Sequence, residues 1–498
     1  MNYTFVNHIP KPFMLGAIAL ILSSCAAIPP ETAHSSMQSA ERYASADPAL
    51  TLSRANWPQL NWWESYNDPQ LNQLMHQAVL GTPTLEIAGL RLQQAQLAAN
   101  QVFANSGANI SANGTISREL ESANSIYPPP YAGSWLTNSR IALDFKYEFD
   151  WWGKQRAQLK AALGEAQAVK AEQASAYLIL TTSIAQSYFN YQTALARLSL
   201  AQKNINDVMR LLTLNQLRQQ HGLDAITPQY QTQGSLALAQ RNKAMIETSR
   251  LLAKSQLQAL LGIPAQEMTA LTAVALPKDK AVLPEHLGLD LVAHRPDLQA
   301  ARWRVEAAFQ HVEAAKAEFY PDINLTAFLG LTSVSLEQLL RAGSQTKGIA
   351  PAIHLPIFDS GRLKAQLGIR RAEAEYAIAS YNKTLTDAVK DVTDQALILQ
   401  GLLQQQQSMS QSLASARSLH HTADIQSKQG LVDGFGVLQA KINVNTQEDN
   451  NILLANQRLT TQVNLIRALG GGYLERLEQS LGNIGKSHTL QEHHHDSN

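Results

Sequence analysis

Cys25 is the only thiol in 498 residues, so it alone could serve as a thiolate nucleophile, an acyl acceptor or a soft metal ligand. One cysteine leaves no disulfide and no cysteine-based metal site. His420-His421 invites a metal reading, but adjacent helical residues point to different faces, so the pair reads as solvated. His493-His494-His495 could hold metal weakly and reads as part of a C-terminal tail. Arg295 and Asp297 resemble an acid–base pair, yet with Pro296 they open a helix, where capping accounts for them. There is no Gly-rich loop with a phosphate-binding lysine and no Gly-x-Ser-x-Gly elbow. The expectation is no enzyme, no bound metal and no cofactor.

Cys25 closes the apolar run Phe13 to Ser24, which is too short to span a bilayer at roughly 20 residues. The run fits the apolar region of a secretory signal peptide. Leu22-Ser23-Ser24-Cys25 resembles the bacterial lipobox, in which the cysteine carries covalent lipid such as palmitate and becomes the mature N-terminus. Ala26, rather than Asp, follows it, which favours the outer membrane.

Forty basic and forty acidic residues cancel, so no global basic field invites nucleic acid. Alanine, leucine and glutamine dominate, as in long helices. No apolar stretch after residue 25 reaches the length of a transmembrane helix, so a membrane crossing would have to use strands. The reading of the chain is a signal peptide at 1–24, a lipid-anchored tether at 25–56, a first structural repeat at 57–265, a linker at 266–285, a second repeat at 286–474 and a tail at 475–498. Each repeat has the order helix, strand, strand, very long helix, turn, long helix. Strands are expected at about 107–118, 139–150, 322–334 and 347–358, and long helices at about 154–221, 228–262, 360–429 and 434–469. The first and third of these helices contain no proline, and each would reach roughly 100 Å if continuous. Ala157, Ala161, Gly164, Ala168 and Ala171 supply small residues for close helix packing.

The strands carry the functional argument. Ile141, Leu143, Phe145, Tyr147 and Phe149 alternate with Ala142, Asp144, Lys146, Glu148 and Asp150, a strict period of two. In an outer-membrane barrel the first set would meet lipid, and Asp144, Lys146, Glu148 and Asp150 would line the lumen. Ile323 to Thr332 and Ile349 to Ile357 repeat the pattern. Tyr127 to Tyr131 reads as an exposed loop with aromatics suited to a membrane interface. Four strands cannot close a barrel, and an open edge in lipid is prohibitive, so this reading requires an oligomer sharing one barrel.

Trp62-Trp63 with Asp68-Pro69, His294-Arg295-Pro296-Asp297-Leu298, Phe319-Tyr320-Pro321-Asp322, Pro356-Ile357-Phe358-Asp359-Ser360-Gly361-Arg362 and Gly470-Gly471-Gly472 stand in an order that resembles the TolC-type outer-membrane efflux proteins, NodT-like lipoprotein branch. The resemblance implies a mainly α fold with a membrane β-barrel: a homotrimer whose twelve-stranded barrel continues as a twelve-helix periplasmic α-barrel. It implies docking on a periplasmic adaptor and an inner-membrane pump, and passive conduction of drugs or other toxic small molecules. A non-pore structural envelope lipoprotein and a duct for polypeptide secretion are the alternatives. In the family the distal helix ends form a periplasmic entrance closed at rest. The turns here run from His221 to Pro228 and from Gln429 to Ala440. Asp224 and Asp433 are gate candidates, with helix capping the other reading of each. Gln439 stands where the family pattern has Asp, which implies a less negative entrance.

Overall fold

The computed structural model describes residues 28–30, 35–39, 53–124, 126, 128–277, 282–284 and 294–473. Cys25, the signal region, Tyr127 and the tail from 475 onward lie outside the described residues. The elements in chain order are β1 (Ser53–Ala55), α1 (Pro69–Gly81), α2 (Pro83–Asn105), β2 (Asn109–Leu120), β3 (Trp135–Phe149), α3 (Lys154–Gln220), α4 (Thr227–Leu261), β4 (Val282–Pro284), α5 (Pro296–Ala317), β5 (Asp322–Ser333), β6 (Gln345–His354), α6 (Arg362–Lys428) and α7 (Gly434–Ala468), with short 3₁₀ turns between some of them. Two compact units emerge, and α3 and α6 contribute residues to both.

The first unit takes residues 91–169 and 301–381, with the described residues before Gln38. Its sheet has the order β2-β3-β5-β6, antiparallel throughout, with one-to-one register and no bulge. Val312, Ala315, Phe319, Leu363, Leu367 and Ala374 form an apolar core that also takes Ile28. Helix approach is close where the small residues stand: a Cβ on Gly164 would lie 3.2 Å from that of Ala307. The segment read as a lipid-anchored tether is partly fastened here. Arg371 donates to the carbonyls of Pro29 and Pro30 at 2.8 and 3.0 Å, and Ser35 N–H donates to Glu375.

The second unit takes residues 38–90, 170–300 and 382 onward. Its core joins Leu71 and Met75 of α1, Ile184, Tyr188 and Phe189 of α3, Leu257 of α4, and Leu459 and Val463 of α7, with Trp62 and Trp63 beside them. Asp68 caps α1 by accepting from Gln70 N and Leu71 N. It also accepts the Tyr188 hydroxyl at 2.7 Å, and burial with this carboxylate pushes the phenol pKa up. The three glycines at 470–472 have positive φ and bear close approaches, since a Cβ on Gly470 would stand 1.8 Å from the His294 carbonyl oxygen.

Several expectations change. The helix before the first strand pair is two helices, α1 and α2, because Thr82 is extended ahead of Pro83, and that proline has no N–H to continue a helix. α4 begins at Thr227, one residue ahead of the expected start at 228: the Ile226 carbonyl already accepts Gln229 N and Tyr230 N. β3 begins at Trp135, four residues earlier than the alternation suggested, and β6 ends at His354, ahead of Pro356. The linker and tether contribute a short parallel pair, β1 with β4. Gln70 and Gln192 hold the linker backbone at Thr272 and Val274.

Candidate functional site

Two places carry the groups singled out by the sequence: the sheet, and the turns of the two helical hairpins α3–α4 and α6–α7.

The register gives the sheet two unlike faces. One carries Ile110, Ile116, Ile141, Leu143, Leu329, Ile349 and Ile353, all at least half exposed. In water this would be a severe liability. The other carries Asn113, Arg140, Asp144, Lys146, Glu148, Asn324 and Thr326. There Asp144 accepts from Arg140 Nη2 and Asn113 Nδ2, both at 2.7 Å. Glu148 pairs with Lys154 at 3.3 Å, and Lys146 is exposed. This polar face is crowded: a Cβ on Gly348 would come 2.7 Å from the Phe328 ring, so a larger residue there would have to displace that ring. Asp150 departs from the lumenal expectation. It lies one residue past β3 and caps α3, accepting from Gln155 N and Arg156 N at 3.0 Å each. Among the described residues, β2 and β6 each have a neighbouring strand on one side only.

Both hairpin turns are built alike. Gly222 and Gly430 adopt φ of +68° and +76°, and the residue after each donates back to the helix, Leu223 N to Arg218 O and Leu431 N to Gln426 O. This left-handed stop is the signature glycine termination of a helix. Asp433 caps α7 by accepting from Gly436 N. Asp224 does not cap a helix.

The two aspartates are instead brought together by Arg218. Its Nε and Nη2 donate to Asp224 at 2.5 and 3.2 Å, and its Nη1 donates to Asp433 at 2.8 Å. The hydrogen bond from Arg218 holds the Asp224 carboxyl below the usual carboxylate range, and Asp224 in turn raises the guanidinium. Gln439 is exposed on α7 and takes no part in this cluster. Arg218 escaped the sequence reading. Its one signal was a basic residue in the last helical turn, a common dipole pairing that does not name a partner.

The Arg218–Asp433 bond ends a longer seam between α3 and α7. Gln186 donates to Asn464 at 2.7 Å, Arg197 grips Asp449 at 2.7 and 2.9 Å, and Asn445 donates to Asp207 at 2.9 Å. The partners' numbers fall on α7 as they rise on α3, so the helices run antiparallel. Asn445 and Asp207 are buried, so this seam is polar even where it is dry.

The chain matches the family described as outer membrane efflux protein over residues 74–263 and 289–471. It is 32% identical over 469 residues to the multidrug resistance outer membrane protein MdtP of Shigella flexneri, covering 92% of this chain and 96% of that one. It is 33% identical over 465 residues to the multidrug resistance outer membrane protein MdtQ of Escherichia coli O157:H7, covering 92% and 97%. Among solved structures, the outer membrane protein VceC of Vibrio cholerae superposes with a TM-score of 0.74 at 32% identity, over 84% of this chain and 100% of that one. The CmeC outer membrane channel of Campylobacter jejuni shares the fold, with a TM-score of 0.79 at 19% identity, over 93% and 97%.

Proposed function

From the premise that this chain belongs to the outer membrane efflux protein family, we propose that three copies share one barrel and form the exit duct of a tripartite efflux system. The observation that carries this reading is the sheet: four strands, one exposed apolar face, one polar face and two outer strands with a free side. Lipid accommodates the apolar face, and only closure satisfies the free edges at membrane depth. Three such sheets supply twelve strands, enough for a barrel with the polar face turned to a watery lumen. Asp144, Lys146 and Glu148 then line the path, held in part by Arg140, Asn113 and Lys154.

Arg218 is the latch of the periplasmic entrance in this reading. It ties the turn after α3 to the turn before α7, so the two helical hairpins of one protomer are joined at their tips. The polar α3–α7 seam suits an entrance that must open, because its groups can exchange protein partners for water with little net cost. Leu223 and Leu431, 67% and 69% exposed, give the tips apolar knobs on which a periplasmic adaptor can dock. The pump behind that adaptor drives transport, and the duct conducts drugs or other toxic small molecules without altering them. Lipid on Cys25 anchors the N-terminus in the outer membrane.

The test is deletion in the native host with the pump still expressed, followed by a panel of drug susceptibilities and complementation. Increased susceptibility to several unrelated compounds, restored by the intact gene, is expected. An unchanged panel overturns drug efflux.

A further inference from the structure

The apolar face of the sheet is not apolar to its end. Arg118 on β2 and Lys347 on β6 lie on that face by register, opposite Thr137 and Leu329. Both are exposed, and both lie near the strand ends that lead into the β2–β3 and β5–β6 loops. The four strands place no carboxylate on this face: Glu119, Asp144, Glu148 and Asp322 share the other one with Arg140. On the polar face Arg140 is paired with Asp144, and Lys146 shares that face with the carboxylates of Asp144 and Glu148. Arg118 and Lys347 have no ion pair among the described residues, and Arg118 lies 6.0 Å from the centroid of the exposed Trp135 ring.

A lipid-facing cation is strongly unfavourable at mid-depth and tolerable only near an interface. A tryptophan on the same face marks such an interface. The long helices follow the opposite strand ends, so in the duct this rim is the outer one. We propose that Arg118, Trp135 and Lys347 form a docking site for the phosphate groups of a phosphorylated glycolipid of the outer leaflet. The Arg118 fork suits bidentate phosphate contact, and the Lys347 ammonium reaches a headgroup from its flexible stem. The acyl chains would lie along Ile116, Ile141, Leu143 and Ile349, each at least half exposed.

The inference rests on the duct reading, since only an inserted barrel turns this face to lipid. It also uses the position of β2 and β6 as the outer strands of the sheet. In a shared barrel, β6 of one protomer adjoins β2 of the next, so each seam pairs a strand bearing Lys347 with one bearing Arg118. The carriers of charge thus meet at the junctions between protomers, where a bound lipid would bridge two chains.

Native mass spectrometry of the detergent-purified trimer tests this with diphosphorylated lipid A, its dephosphorylated form and phosphatidylglycerol. Lipid A should bind the wild type at one site per seam. Its affinity should fall about fivefold in Arg118→Gln or Lys347→Gln and about thirtyfold in the double variant. The dephosphorylated form should bind the wild type as weakly as lipid A binds the double variant. Equal lipid A affinity in the double variant overturns the site, and phosphatidylglycerol binding as tightly as lipid A overturns the outer-leaflet assignment. Bilayer conductance of the same preparations separates the two readings. A wild type that forms no conducting trimer overturns the duct, and this site with it. A conducting trimer with unchanged lipid affinity overturns the site alone.

Discussion

Arg218 and Asp433 are 215 positions apart, yet Nη1 of one stands 2.8 Å from Oδ2 of the other. The same guanidinium grips Asp224 with its two remaining donor edges. One side chain at the end of α3 therefore restrains its own turn and the cap of α7 together. Asp433 serves twice, accepting from Gly436 N as a cap and from Arg218 as an ion partner. Whatever displaces Arg218 frees both tips at once.

On the proposed duct reading, Arg218→Gln should raise the mean single-channel current in planar bilayers severalfold, because the entrance would lose its clamp in every protomer. Arg218→Lys keeps the charge but loses the fork, so an intermediate current is expected. Thermal unfolding should barely move, since exposed ion pairs contribute little to stability. A current unchanged in Arg218→Gln would show that the entrance is held shut elsewhere.

The pH response of the clamp has a definite sign. Arg218 lowers the folded pKa of Asp224, so its stabilisation is present above the unfolded value and is lost as pH falls through the folded one. The current should therefore stay flat from about pH 8 to about pH 5 and rise only below about pH 4. A step near pH 6.5 in bilayer recordings would assign the gate to histidine instead.

Much of this was legible in the chain, for reasons that differ by element. Ile141 to Phe149 announced a strand because side chains alternate with a period of two, one face wholly apolar and the other charged beyond Ala142. The long proline-free stretches announced α3 and α6, and the turns read as opening at His221 and Gln429 marked their ends. Thr82-Pro83 hid a break between α1 and α2, because proline also begins helices. Asp150 looked lumenal because the alternation runs one residue beyond the ladder, into the cap of α3. Arg218 was illegible as a clamp, since nothing local to it points to Asp433. The fastening of Pro29 and Pro30 by Arg371 was equally hidden, because backbone carbonyls leave no mark on sequence.

Gln439 stands near the start of α7, exposed, where the resemblance implies an aspartate. If it faces the constriction, Gln439→Asp places a carboxylate ring in the trimer, which attracts cations. Reversal potentials in a salt gradient should then shift toward cation selectivity, while the Arg218 clamp keeps the current low. Unchanged selectivity would remove Gln439 from the pore lining.

The two faces of the sheet can be told apart by one substitution on each. Leu143 is 52% exposed, pairs with Leu329 and Ala112, and sits on the apolar face well inside β3. Leu143→Arg places a cation in mid-bilayer at a cost of about 2–4 kcal/mol per chain, so the yield of membrane-assembled trimer should collapse. Ser111 lies opposite Asp144 on the polar face. Ser111→Arg meets that carboxylate and water instead of lipid, so the trimer should assemble and its selectivity should move toward anions. The contrast between the two variants is the measurement, because a sheet packed on both faces would be damaged comparably by either. Equal loss of trimer in both variants would mean that the polar face is covered by protein as well and does not line a watery lumen.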